Sequence, residues 1–269
     1  FRLLGAQGLT GLAMAAIDMA LWDANAKAAG LPLVAFLGGE PKPIPAYASL
    51  RSMSAAAAAA EAEEALEMGF TAIKVKAGRA DLAADLDVVR AIRSVAGNGT
   101  RLMVDYNQSL SVTDAIARGH ALDGEDIDWI EEPTLADDFL GHANIAKNVT
   151  TSIQLGENWW GANDMANSIA LDASDLAMLD VMKIGGVSGW LRAAILAEEA
   201  GLPLSSHAFP EFSAHVLAAT PTCHRLEYLD HIGPILQEPV RYKDGHVLQS
   251  DRPGAGLEWN EEIVRRFSG

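Results

Sequence analysis

Three carboxylates recur at one interval in this sequence: Asp105, Glu131 and Glu157 lie 26 positions apart from one to the next. Asp105 and Glu131 close short apolar runs and Glu157 follows one, so the three occupy equivalent points of a repeating unit. Converging carboxylates repel one another unless a cation sits between them, and oxygen ligands without Cys or His suit Mg²⁺. Lys74 and Lys76, Asn107, Asp180, His207 and Glu227 stand at corresponding points of other units. Lys74 and Lys76 are two apart on a strand-like run and therefore face one side. There, two ammonium groups raise each other's cost of charging, which lowers one pKa toward that of a useful base. Asp180 and His207 mark neighbouring runs, where a carboxylate can orient an imidazole and raise its basicity. A lone acid after a strand is commonly a helix cap or a solvated charge. Three of them with two lysines and a histidine at one level point instead to metal-assisted acid–base chemistry.

Such residues need a scaffold that brings the ends of many units together. Strand-like runs cover 44–50, 71–76, 101–105, 127–131, 152–155, 177–182, 202–206 and 225–228. Helix-like stretches at 54–68, 81–95, 112–122, 189–200 and 210–219 lie between them. Eight strands with intervening helices predict parallel βα units closing into an α/β barrel of TIM type, with a doubly wound open sheet as the competing architecture. In a barrel the residues above share the C-terminal mouth, where barrel enzymes carry their sites. The run at 55–60 is entirely Ala and reads as helix. Residues 1–38 read as helical, closed by Gly38-Gly39 and three prolines, and the last 35 residues as an irregular appendage.

Composition excludes several classes. The 269 residues are 49% hydrophobic and carry a net charge of −16, which suits a buried core and provides no basic face for nucleic acid. No apolar run approaches the length of a membrane span. The single Cys223 rules out an intramolecular disulfide framework and a cysteine zinc site, and fits a reducing, cytoplasmic setting. There is no G-x-S-x-G elbow and no Walker loop.

Several stretches carry a family resemblance: Lys74-Val75-Lys76, Val104-Asp105-Tyr106-Asn107-Gln108-Ser109, Trp129-Ile130-Glu131-Glu132-Pro133-Thr134 and Gly156-Glu157-Asn158-Trp159. With Lys183-Ile184-Gly185-Gly186-Val187, Ser205-Ser206-His207 and the segment leading to Glu227, they resemble, in order, the mandelate racemase branch of the enolase superfamily. The resemblance implies a (β/α)7β barrel over 41–232, a helical remnant of an N-terminal capping domain over 1–40, and a C-terminal segment over 233–269 that returns to the cap. It implies that a segment precedes Phe1, and that the protein forms a homo-oligomer.

For the site, the resemblance implies Asp105, Glu131 and Glu157 as Mg²⁺ ligands; Glu132, next to Glu131 and so pointing the other way on a strand, is expected behind them. Lys76 is the implied base on one face of the substrate α-carbon, and His207 paired with Asp180 the base on the other. Glu227 corresponds to a protonated acid on the substrate carboxylate, Lys74 to a cation on it, and Asn107 and Ser49 to polar contacts. Lys183 matches a further lysine near the site. The implied reaction is α-proton removal from a small 2-hydroxy carboxylate through an enediolate, racemisation foremost and acid-sugar dehydration second. A Schiff-base aldolase or a non-catalytic binding barrel would leave the acidic triad or the bases without a role. Ala208, if it lines the pocket, leaves room where an aryl group would lie, and Trp159 and Trp160 are stacking or rim-packing residues.

Overall fold

The computed structural model describes Leu3 and residues 5–78 and 81–267. Two helices, α1 (Gly8–Ala29) and α2 (Leu33–Phe36), precede a barrel whose units alternate without exception. In chain order these are β1 (Ile44–Ser49), α3 (Ala55–Glu67), β2 (Ala72–Lys76), α4 (Leu82–Ala96), β3 (Arg101–Asp105) and α5 (Val112–Leu122). Then come β4 (Ile127–Glu131), α6 (Phe139–Asn148), β5 (Ser152–Leu155), α7 (Ala162–Ala170), β6 (Leu176–Asp180), α8 (Gly186–Ala200), β7 (Leu204–His207), α9 (Pro210–Ala218) and β8 (Cys223–Tyr228). Strands β1 to β8 pair in parallel in sequential order, and β1 pairs with both β8 and β2, closing the barrel. The open-sheet alternative is thereby excluded.

Strand alternation sorts the residues into two cores. On β2, Ile73 and Val75 point outward to the helices while Ala72, Lys74 and Lys76 share the inner side, as the two-residue spacing predicts. Inside, Tyr47, Ala72, Met103, Trp129 and Met178 form a fully buried plug. Above the plug the inward positions turn polar, so the barrel's own packed side chains form the floor of the site.

The helices are started by local chemistry. Ser54, Asp81, Ser111 and Asp138 each accept a hydrogen bond from a first-turn amide of α3, α4, α5 and α6. The Ala-rich run at 55–60 lies in α3, as its composition predicts.

The C-terminal segment is more ordered than the expected irregular appendage. Strands β9 (Arg241–Lys243) and β10 (His246–Leu248) form an antiparallel hairpin, and β10 adds to the edge of β1 through Ile44 and Val247. Asp244 and Gly245, both at positive φ, make its tight turn. A last helix, α10, spans Glu261–Phe267. The helical reading of 1–38 holds for α1 and α2, while Phe1, Arg2 and Leu4 lie outside the described residues, as do Ser268 and Gly269 at the other end. No helix among the described residues is long and apolar enough to cross a membrane.

Glu211, in the first turn of α9, makes stability depend on pH. It is 6% exposed, and burial raises its carboxyl from 4.5 to about 7, with Asp230 adding to the rise. The folded state therefore holds a proton that the unfolded chain releases, and stability falls as pH rises from about 4.5 to 7 and then levels off. The contribution is on the order of 3 kcal/mol. Glu211→Gln is expected to flatten this slope, so that denaturant melts at pH 5 and pH 8 differ less for the variant than for the unsubstituted protein.

Candidate active site

Strand register places the chemistry. Ser49 is paired with Lys74, Lys76 with Asp105, Asp105 with Glu131, and Asp180 with His207, all at the C-terminal ends of their strands. Glu157 follows β5 through Gly156. One carboxylate oxygen from each of Asp105, Glu131 and Glu157 comes together within 4.8 Å of the others. Glu131 is fully buried, and Trp129 Nε1–H and Gln154 Nε2–H donate to its Oε2 at 3.2 and 3.3 Å. Burial pushes its carboxyl well above the ordinary value, and Asp105 and Glu157 add to this against the pull of Lys74. The cluster is thus short of positive charge even with a lysine on it. Acceptor-only hard oxygens with that deficit fit Mg²⁺, which would relieve the repulsion.

Lys74 plays a different part from a depressed-pKa base. Its Nζ lies 2.5 Å from Glu131, 2.9 Å from Glu227 and 3.6 Å from Asp105, and only 2% of the residue is exposed. Burial alone would lower its pKa, but these carboxylates hold it well above the usual lysine range. The expectation of a depressed pKa fails for Lys74, because Glu131, Glu227 and Asp105 outweigh the lowering effect of burial. Lys76 stands apart, donating from Nζ to Asn107 Oδ1 at 2.6 Å, while Asn107 donates from Nδ2 to Asp105 at 3.0 Å.

Glu227 is set by its neighbours: burial would raise its carboxyl, yet Lys74 and His207 lower it. The amide of Ala208 and the hydroxyl of Ser49 both donate to it. Across the cleft, His207 Nδ1 lies 2.7 Å from Asp180 Oδ2, and its Nε2 is 3.4 Å from Glu157 and 3.7 Å from Glu227. Burial lowers the imidazole pKa, but the Asp180 hydrogen bond and these carboxylates raise it above the ordinary value overall. Asp180 is itself fixed by the amides of Met182 and Lys183, at 2.7 and 3.1 Å.

Behind the triad, Asn158 donates to Glu132 at 2.7 Å and to Glu157 at 3.2 Å, and accepts from Lys183 Nζ at 2.6 Å. Lys183 thus acts on the site through Asn158. Asn158 was absent from the sequence-derived site; its only signal is its place next to Glu157. Several residues just past the site strands sit at positive φ: Asn107 and Gln108 after β3, Glu132 after β4, Ala208 and Phe209 after β7. Each such position costs about 1–3 kcal/mol and persists where surrounding contacts fix it. Ala208 is buried beneath Glu227 and does not line the cleft, and Trp159 is buried in packing.

Gly156 is the hinge that aims Glu157. Its φ is +132°, and a Cβ there would lie 2.6 Å from the Met178 carbonyl and 2.9 Å from the Trp159 ring. Gly156→Ala is expected to cost about 1–3 kcal/mol of stability, read as a lowered Tm. It should weaken Mg²⁺ binding in the same protein by displacing the carboxylate, read by metal titration.

The cleft enclosed by these residues is about 250 Å³. Among the described residues, everything lining it apart from Leu50 and Leu229 is polar or charged, with no Phe, Tyr or Trp. A family model described as enolase C-terminal domain-like matches residues 57–263, and one described as mandelate racemase / muconate lactonizing enzyme, N-terminal domain, matches residues 3–38. The chain belongs to the mandelate racemase / muconate lactonizing enzyme family. Family members of known structure superpose closely on it. An enolase from Bradyrhizobium, complexed with magnesium and mandelic acid, aligns with a TM-score of 0.94 at 46% identity over 99% of this chain and 74% of that one. L-Talarate dehydratase from a Polaromonas species, complexed with Mg and L-glucarate, aligns with a TM-score of 0.92 at 33% identity over 98% of this chain and 75% of that one. By sequence, the chain is 36% identical to the 3,6-anhydro-alpha-L-galactonate cycloisomerase of Streptomyces coelicolor, over 95% of this chain and 72% of the relative.

Proposed function

We propose that the protein removes the proton α to the carboxylate of an acid sugar and dehydrates it, with Mg²⁺ held by Asp105, Glu131 and Glu157. The observation that carries the reading is the arc of three carboxylates on consecutive units, flanked by Lys76 on β2 and the His207–Asp180 pair on β7 and β6, in one polar cleft. The magnesium and glucarate of the Polaromonas relative and the acid-sugar names of other relatives support it.

A divalent ion at the triad would stabilise the charge that develops on the substrate carboxylate as the α-proton leaves. The chain's own residues hold and move the protons. Lys76 Nζ, positioned by Asn107, takes the proton from C2, and the C–H electron pair moves toward the carboxylate. As that pair returns to form the C2–C3 double bond, the C3–O bond breaks and His207 Nε2 supplies the proton that completes water. Asp180 keeps Nε2 pointed into the cleft. The remaining enol becomes a 2-keto-3-deoxy acid. Lys74 keeps the ring of carboxylates compact, and Ser49 and Glu227 line the cleft where they can bind hydroxyls of the substrate.

A second reading keeps the first step and changes the last. Lys76 and His207 flank the arc from two sides, so His207 could return the proton to the α-carbon and invert it; the mandelic acid in the Bradyrhizobium relative favours this reading. Products separate the two. Incubation with galactonate, gluconate, galactarate, glucarate and both mandelates is expected to yield a 2-keto-3-deoxy acid from an acid sugar. Inversion at C2 alone would select racemisation.

A further inference from the structure

We propose that Lys183 and Asn158 form a positioning relay that sets how tightly the carboxylate arc holds Mg²⁺; this rests on the magnesium reading above. Lys183 Nζ donates to Asn158 Oδ1 at 2.6 Å, and Asn158 Nδ2 donates to Glu132 at 2.7 Å and to Glu157 Oε1 at 3.2 Å. A lysine ammonium has donors only, so the amide oxygen must face it, which leaves the amide nitrogen for the two carboxyl groups. Without that ammonium nothing fixes the oxygen, and a turned amide would aim it at Glu157 instead of a donor. The two ends of the bridge differ. Glu132 is held at φ +36°, its amide donating to the Gln154 carbonyl at 3.1 Å and its carbonyl accepting from the Gln108 amide at 2.8 Å. Glu157 stands beyond the end of β5, with Oε1 on Asn158 and Oε2 3.4 Å from His207 Nε2. Loosening Asn158 therefore releases the one ligand of the arc that can swing toward the imidazole.

Lys183 is well anchored for this part. It lies in the tight turn from β6 to α8, where the Ile184 amide donates to the Asp180 carbonyl at 2.9 Å and the Gly186 amide to the Val181 carbonyl at 2.8 Å. Gly185 and Gly186 complete the turn at positive φ. The residue serves both halves of the site through different atoms. Its amide donates to Asp180 Oδ1 at 3.1 Å, fixing the partner of His207, while its ammonium reaches back to Asn158. Replacing the side chain leaves the first contact in place and removes the second. The neutral amide in the middle also matters. Lys74 puts its charge directly on Glu131 at 2.5 Å, where it competes with a cation for the same carboxylate. Lys183 acts across an amide, and so aims Glu157 without taking its charge.

Calorimetric Mg²⁺ titration of the metal-stripped protein tests the relay without recourse to turnover. Lys183→Met, which keeps a long side chain but cannot donate, and Asn158→Ala are each expected to raise the Mg²⁺ Kd by about 10- to 100-fold, the range seen when a group supporting a metal ligand is replaced. Lys183→Arg should recover most of the loss. Because the lysine acts through the amide, the double variant should bind no more weakly than Asn158→Ala alone, whereas independent contributions would add. Thermal melts without Mg²⁺ establish that each variant is folded; if Asn158→Ala is not, the comparison of Lys183→Met with Lys183→Arg decides. An unchanged Kd in Lys183→Met, or additive losses in the double variant, would overturn the relay. Turnover lost at an unchanged Kd would make Lys183 a proton-transfer group instead. Failure of the unsubstituted protein to bind Mg²⁺ would reject the triad reading and the relay together. Binding that both single variants leave unaltered would reject the relay alone.

Discussion

His207→Asn is expected to uncouple the two halves of the reaction. Lys76 remains, so the α-proton of the accepted substrate should still exchange with solvent deuterium, while loss of water slows by about 10²–10⁴-fold because the acid at Nε2 is gone. Lys76→Ala should do the reverse for that substrate, losing C2 exchange and product together by a similar factor. For the C2 epimer, where His207 faces the proton, exchange in Lys76→Ala should survive. Asp180→Asn, which leaves the imidazole in place but weakens its 2.7 Å brace, should fall between unsubstituted protein and His207→Asn. Proton NMR in deuterated buffer reads exchange and product in one sample. Should His207→Asn and Lys76→Ala lose exchange of both epimers alike while remaining folded and metal-bound, the division of labour between the two groups is wrong.

Glu131→Gln is expected to have the largest effect on the metal. Glu131 is the fully buried centre of the arc, between Asp105 and Glu157, and a neutral amide there removes one of the three charges that make Mg²⁺ favourable. In the unsubstituted protein, Mg²⁺ at 100 times its Kd should stabilise the fold by about 2.7 kcal/mol through mass action, seen as a rise in Tm. In Glu131→Gln that rise should vanish over the same concentration range, and turnover with it. Replacement of an acid outside the triad, such as Glu125, should leave the metal-dependent rise intact. Persistence of the rise in Glu131→Gln would place the ion elsewhere.

Most of the barrel was legible because its signals are local. Each strand was marked by a short apolar run, and period-two alternation on β2 put Lys74 and Lys76 on one side, as the structure has them. The 26-residue interval between the triad's acids is the length of a βα unit, which brings Asp105 opposite Glu131 in register. The hairpin of β9 and β10 escaped notice although Asp244-Gly245 is a strong turn signal, because strands of three residues carry too little alternation to stand out. Helices α6 and α7 span only ten and nine residues, too short for their apolar positions to stand out in the sequence.

The electrostatics were less legible than the positions. Whether Lys74 is a base or a strut depends on which carboxylates lie within 4 Å of it. Those belong to β3, β4 and β8, far from it in sequence. The same holds for Glu227, whose ionisation is set by Lys74 and His207. Asn158 was passed over because neither its type nor its spacing distinguishes it; only the closing of the barrel brings it against Glu132 and Lys183 behind the triad.

The most direct test of the central claim is deuterium incorporation at C2 of an acid sugar by the Mg²⁺-loaded protein in deuterated buffer. Exchange confined to C2, abolished by chelation and restored by added Mg²⁺, is the result expected if the carboxylate arc and its flanking bases remove an α-proton. Absence of exchange at C2 from every 2-hydroxy acid tried, or exchange that persists undiminished after chelation, would contradict it.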